Sequence, residues 1–189
     1  LITTISIILF VLVAVGMYFA PALVRLYAPE FFTTGFEVEK EIAIAFTRYC
    51  LPQIFFLGLF TMLGQVANAR GSFAPLMWAP IANNIVGIAL FGAFLVFSPS
   101  VSIDNISNTQ VLILGWGTTL SVVVQALVLV PVIKRLGIKL RPQWGVKGLG
   151  KSFGLAGWTL IYVLISQLGY LVTVNVATSA VVRSAQEGI

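Results

Sequence analysis

Residues 65–84, QVANARGSFAPLMWAPIANN, separate two long apolar runs, 42–66 and 81–97. At roughly 1.5 Å per residue the first run is long enough to cross a hydrocarbon core of about 30 Å, and so is the second when its span is counted from residue 77. Between them the sequence builds a turn from Asn68, Arg70 and Gly71, with Arg70 its only charge. Asn and Gly tolerate the left-handed backbone that a tight reversal needs. Pro75 and Pro80 fall near the start of the next helix, where a missing N–H costs little. An ordinary loop between two membrane helices accounts for all of this. The adjacent amides Asn83 and Asn84 ask for more. One turn into an apolar helix, they are costly in lipid unless they face protein or water.

Working outward, composition places the whole chain in a membrane. Of 189 residues, 59% are hydrophobic and only 9% charged, with a mean hydropathy of +1.02. Soluble domains carry about 25% charged residues. The sequence has no His and one Cys, Cys50. An intrachain disulfide is therefore excluded, and so is a His/Cys metal site. The acids Glu30, Glu37, Glu39, Glu41, Asp104 and Glu187 lie outside the apolar runs or at their edges. No buried pair of carboxylates is available for acid–base catalysis, so no catalytic residue, metal or cofactor is expected. The net charge of +5 sits mostly in one loop. The positive-inside rule accounts for that without nucleic acid.

The expected architecture is an all-α, polytopic membrane helix bundle with five spans, at about 1–24, 42–66, 77–97, 111–133 and 153–177. Pro21 should kink or end the first span, and Arg25 and Tyr27 follow it as interface anchors. Glu37, Glu39, Lys40 and Glu41 should open the helix of the second, since acids suit a helix N-terminus. Arg48 lies one to two turns into that second span, followed by Pro52. It either snorkels to the headgroups or faces a polar cavity, and Pro52 frees a carbonyl nearby. Gln125, in the middle of the fourth span, should hydrogen-bond another helix. The last span is the most polar. Gln167 and Tyr170 share a helical face, with Ser166 and Thr173 beside it. That face either packs against protein or lines a water-filled path. Residues 181–189 are expected as a polar loop.

Loop charge sets the orientation. Loops 67–76 and 134–151 are basic and therefore cytoplasmic; loops 25–41 and 98–110 are acidic or neutral and therefore external. Lys134, Arg135, Lys139, Arg141, Lys147 and Lys151, with Trp144 among them, suit an anionic membrane surface. The first residue, Leu1, stands already inside an apolar run, which suggests a piece of a longer protein.

The order N-A-R-G-x-F-x-x-P followed by A-P-x-x-x-N resembles a helix hairpin of the MurJ/MviN family of lipid II flippases. That family belongs to the multidrug/oligosaccharidyl-lipid/polysaccharide exporter superfamily. The residues that carry the resemblance are Asn68, Ala69, Arg70, Gly71, Phe73, Pro75, Ala79, Pro80 and Asn84. Arg48 with Pro52 is a second point of similarity, and Ser166-Gln167 a weaker third. The resemblance implies helices three to seven of a larger transporter in the bacterial cytoplasmic membrane. It implies movement of an undecaprenyl-diphosphate-linked peptidoglycan precursor between leaflets, with membrane lipid and cell-wall synthesis proteins as partners. The family's diphosphate-binding arginines match no position here. The substrate-path candidates are therefore Gln167, Tyr170, Arg48 and Asn84, and Arg70 is read as a turn and orientation residue.

Three other readings compete: an exporter of drugs or polysaccharides from the same superfamily, a non-transporting membrane scaffold for wall synthesis, and an intramembrane enzyme. The hairpin motif disfavours the first. Helix packing could use the same polar residues as a path, which keeps the second open. The absence of His and of any mid-span acid weighs against the third.

Overall fold

The computed structural model describes residues 2–98, 105–138 and 150–187. It is an all-α polytopic membrane helix bundle, with no strand among the described residues. The helices are α1 (Ile2–Tyr18), α2 (Ala20–Tyr27), α3 (Glu37–Cys50), α4 (Pro52–Asn68), α5 (Ala74–Phe97), α6 (Asn108–Arg135) and α7 (Gly150–Glu187), with a 3-10 turn at Pro29–Phe32. By length and composition α5, α6, residues 157–180 of α7, and α3 with α4 together can each cross a membrane. The pair α1 and α2 makes a fifth crossing if it acts as one broken span.

The first expected span is not straight. α1 and α2 meet at a bend of 71°, with Pro21 in the first turn of α2. Proline fits an N-terminal turn because its missing N–H would be unpaired there. The second crossing is interrupted more mildly, at Leu51, where Pro52 opens α4: Leu51 keeps helical angles (φ −55°, ψ −36°), and residues 37–68 still make one span. The two breaks lie together, for a Cβ on Gly16 would stand 3.6 Å from the Leu51 side chain. Lower down, Leu9 abuts Gly58 and Phe10 meets the edge of Phe55 at 6.3 Å. The α1/α2 arm therefore runs antiparallel to α4 and α3.

Several sequence boundaries shift. Residues 25–41 are largely ordered into the end of α2, the 3-10 turn and the start of α3, which opens at Glu37 with Glu37 and Glu39 in its first turn. The helix outruns the apolar run because carboxylates complement its N-terminal dipole. At the other end, α7 continues to Glu187, where a polar loop was expected from 181. Polarity alone does not end a helix, and 181–187 hold no Gly or Pro. Most of loop 134–151, with Lys139, Arg141, Trp144 and Lys147, lies outside the described residues, as do Pro99 and Asp104.

α6 is the spine of the bundle. Val111, Thr119, Val122, Gln125, Ala126, Leu129 and Ile133 are all buried along it. Leu63 and Ala67 of α4 pack with Leu129 and Ile133 into one core cluster. Close approach is arranged by small residues. A Cβ on Gly115 would lie 2.6 Å from the Cβ of Tyr49, and Gly117 faces Leu90 of α5 as closely. In contrast, α5 and α7 expose long apolar faces, including Ile85, Ile88 and Val96 on one and Trp158, Leu164 and Val172 on the other. Such surface suits lipid or further protein rather than water.

Candidate functional site

Three polar features interrupt this apolar bundle. The first is a seam between α7 and the arm formed by α2 and the 3-10 turn. The Tyr27 hydroxyl donates to Gln167 Oε1 at 3.1 Å. The Tyr27 and Tyr170 rings lie 6.3 Å apart, tilted by 57°. Two turns further along α7, the Asn175 amide donates to the Leu26 carbonyl at 3.3 Å and to its own Leu171 carbonyl at 2.9 Å. One turn beyond, the Ser179 hydroxyl reaches Glu30 Oε1 at 3.3 Å. Gln167, Leu171, Asn175 and Ser179 recur every four residues, which keeps them on one side of the helix. Polar side chains on a helix surrounded by apolar surface need such partners, because unpaired amides are costly away from water. Thr173 and Thr178 instead return their hydroxyls to carbonyls four residues back.

The structure thus brings Gln167 and Tyr170 together on Tyr27, which sequence reading treated only as an interface anchor. The signal for the rest of the seam was Asn175 and Ser179 at helical spacing from Gln167. Nothing in the sequence named their partners, a backbone carbonyl and Glu30.

The second feature surrounds the Leu51–Pro52 break. Proline supplies no N–H to the preceding turn. The backbone bonds crossing the break are Leu51 N–H to Thr47 and Ile54 N–H to Leu51, and neither serves Tyr49. That carbonyl accepts the Thr119 hydroxyl of α6 at 2.7 Å. Beside it, the Gln53 amide donates to Thr118 Oγ1 at 3.1 Å, and Cys50 Sγ lies 3.6 Å from the same oxygen. The polar contact expected near Arg48 is therefore made by α6, while Arg48 itself is exposed. Gln125 is buried on α6, but among the described residues no hydrogen bond ties it to another helix.

The third feature is the α4–α5 hairpin. Ser72 N–H bonds the Ala67 carbonyl at 3.0 Å and Gly71 N–H bonds that of Asn68 at 2.9 Å. With Gly71 at φ 75°, this is a Schellman cap. Only Gly71 takes the left-handed backbone there. Asn68 stays helical as the last residue of α4, and among the described residues its buried Oδ1 has no hydrogen-bond partner. Arg70 is exposed. Pro75 occupies the first turn of α5, whereas Pro80 lies inside the helix. Asn84 is exposed on α5, and Asn83 half-buried. No described hydrogen bond joins Arg48 or Asn84 to α7. Among the described residues no group of three or more His, Cys, Asp or Glu is placed to hold a metal.

Comparison with known proteins gives one consistent result. The family model described as "Lipid II flippase MurJ" matches residues 1–186. A protein named probable lipid II flippase MurJ from Buchnera aphidicola subsp. Baizongia pistaciae (strain Bp) is 26% identical over 144 residues, covering 76% of this chain and 26% of the relative. Another of that name, from Rickettsia prowazekii (strain Madrid E), is 29% identical over 108 residues, covering 55% of this chain and 21% of the relative. The chain therefore spans about a quarter of the length of the curated relatives it matches.

Proposed function

The chain belongs to the lipid II flippase MurJ family, and from that premise we propose that it forms part of a flippase. The substrate is an undecaprenyl-diphosphate-linked peptidoglycan precursor, carried across the bacterial plasma membrane for wall synthesis. The observation that carries the reading is the family match over residues 1–186. The α2–α7 seam supports it, since it joins two otherwise apolar segments through hydrogen bonds rather than through a packed core. Flipping breaks no covalent bond, so it asks for positioned polar groups and not for a catalytic constellation. Gln167, Tyr170, Arg48 and Asn84 are the path candidates, and the exposure of all four supports that role. Arg70 acts in turn geometry and orientation. Loops 67–76 and 134–151 face the cytoplasm, with 25–41 and 98–110 outside.

The test is to supply the full-length protein to bacteria depleted of their own lipid II flippase. Growth should return, and the precursor should become accessible to an external reagent. A correctly inserted, abundant protein that restores neither would overturn the proposal. Orientation is read separately. In a Cys50→Ser background, Thr34→Cys should label from outside intact cells and Ala69→Cys only after permeabilisation; the reverse pattern would overturn the topology.

A further inference from the structure

Two sides of α3 meet different neighbours. Ala43 and Thr47 face the α2 side, whereas Glu41, Ala45 and Tyr49 recur every four residues and face α6. At Tyr49 the two helices touch, because a Cβ on Gly115 would stand 2.6 Å from the Tyr49 Cβ. Towards the starts of α3 and α6 a hollow of about 260 Å³ separates them. It is lined by Glu41, Ile42, Ala45, Tyr49, Asn108 and Val111. Its inner end is Tyr49, whose ring lies 6.4 Å from that of Trp116. Ile42, Ala45 and the buried Val111 form apolar walls. Glu41 and Asn108 stand exposed at the rim. From Glu41 to Tyr49 the hollow follows roughly 12 Å of helix.

The polar side chains of this hollow are uncommitted. Among the described residues no hydrogen bond or ion pair engages the Glu41 carboxylate, the Asn108 amide or the Tyr49 hydroxyl. The start of α6 does not use Glu41 either, since it is capped from within. Ser107 Oγ accepts the Gln110 N–H at 3.3 Å and Gln110 Oε1 accepts the Ser107 N–H at 2.8 Å. Among the described residues Glu41 is the one charge in the lining. Glu37 lies one turn out on the same face of α3 and adds negative potential. Lys40, whose ammonium lies 5.9 Å from the centre of the Phe32 ring, does not line the hollow. A free carboxylate above apolar walls suits a cation that carries hydrocarbon. A calcium or magnesium ion is poorly served, because it takes about six or more oxygen ligands and the side chains of Ile42, Ala45 and Val111 offer none. An ammonium on an unbranched alkyl arm matches the whole lining. Its N–H groups donate to Glu41 and to Asn108 Oδ1, and its methylenes lie on the walls.

We propose that the hollow between α3 and α6 binds a primary alkylammonium, supplied either as a small free amine or as the side chain of a lysine-like diamino acid. Glu41 takes the ammonium, Asn108 orients it, and the arm points inward to Tyr49. The site lies on the α6 side of α3, not on the α2–α7 seam, and does not depend on the transport reading.

The test is thiol labelling of the full-length protein in lipid nanodiscs, with Ile42→Cys as its single cysteine. That change leaves Glu41 and Asn108 in place, and an uncharged methanethiosulfonate reports access to the hollow. Saturating n-butylamine should slow labelling about tenfold. Butanol lacks the charge and butyltrimethylammonium lacks the N–H donors, so neither should protect. Glu41→Gln should remove the protection and Glu41→Asp should keep most of it. Glu41 is exposed, so its substitution reads the site and not the fold. Thr34→Cys, outside the hollow, should label at one rate with or without amine. Protection by lysine with blocked backbone ends as strong as by butylamine assigns a diamino-acid side chain, and protection by butylamine alone assigns a free amine. Equal protection by butylamine and butanol would overturn the proposal, since the apolar walls alone would then bind. So would protection unchanged in Glu41→Gln. Protection by millimolar calcium as strong as by butylamine would overturn it too, leaving a metal site in place of an ammonium site.

Discussion

Thr119→Val tests how the interrupted crossing is held. Thr119 is 1% exposed, and its hydroxyl is 2.7 Å from the Tyr49 carbonyl. Valine keeps the side-chain shape and removes the donor. The carbonyl then has nothing to replace it, because the backbone bonds across the break go to Thr47 and Leu51. An interhelical hydrogen bond in a membrane protein is worth about 0.6 kcal/mol on average and up to about 1.7. A buried acceptor left unpaired costs about 1–3 kcal/mol. The low average reflects unfolded states in lipid that find other partners. A carbonyl at a helix junction, with no backbone N–H across the break bonded to it, has fewer such choices, so the upper part of the range applies, about 1.5 kcal/mol. The assay is equilibrium unfolding of the full-length protein in mixed micelles. Thr119→Ser is the control, since it keeps the hydroxyl and loses only a methyl. A valine variant within about 0.3 kcal/mol of the parent would refute the reasoning. So would a serine variant as unstable as the valine one.

Three further outcomes follow from the same geometry. Tyr27→Phe and Gln167→Leu should be coupled by about 0.6–1.7 kcal/mol in a double-mutant cycle read by unfolding; additive effects would show that the 3.1 Å contact does not stabilise the α2–α7 seam. Gly115→Ala should destabilise by about 1–3 kcal/mol, because the new methyl meets the Cβ of Tyr49 rather than a flexible tip, whereas Gly87→Ala, with nothing within 4 Å, should change little; thermal unfolding of the pair checks the contrast. Gly71→Ala should cost about 1–2 kcal/mol by straining the left-handed cap at φ 75°, and Ala69→Gly in the same turn should not reproduce that loss in an unfolding titration.

Much of the fold was legible in hydropathy. The apolar runs, the hairpin between α4 and α5, and the acids that open α3 follow from composition and from the preference of carboxylates for a helix N-terminus. The breaks were only half legible. Pro21 and Pro52 mark them, yet proline sits as readily in the first turn of a new helix as in a gentle kink, and the sequence does not choose between these. The 71° bend falls where Gly16 comes up against Leu51, a tertiary contact that the local sequence does not name. Pro80 shows the converse. It was placed near a helix start and lies inside α5, which runs on from Ala74 to Phe97. The prolines punctuate the chain, but packing decides whether the helix on either side continues in line.

The polar residues were legible as a set and not as pairs. Helical spacing puts Gln167 and Tyr170 on one face, because that follows from about 3.6 residues per turn within a single helix. The partner of that face depends on how two distant segments meet, and Tyr27 is 140 residues away from Gln167. Aromatic residues near the end of an apolar run also suit headgroups, so Tyr27 gave no sign of its second role. Gln125 misled for the same reason. A buried amide ought to find a partner on another helix, and Gln125 is buried without one among the described residues. Thr118, whose hydroxyl donates back to the Gly115 carbonyl while accepting from Gln53, and Thr119, which donates to the Tyr49 carbonyl, supply the contacts at the proline break. In an apolar bundle, a side chain's partner is chosen by which backbone groups the breaks leave exposed. The Tyr49 carbonyl lies at the junction where α3 gives way to α4 and receives none of the backbone bonds that cross it, and it is the Thr119 hydroxyl level with that junction, not the larger amide six residues further along α6, that meets it.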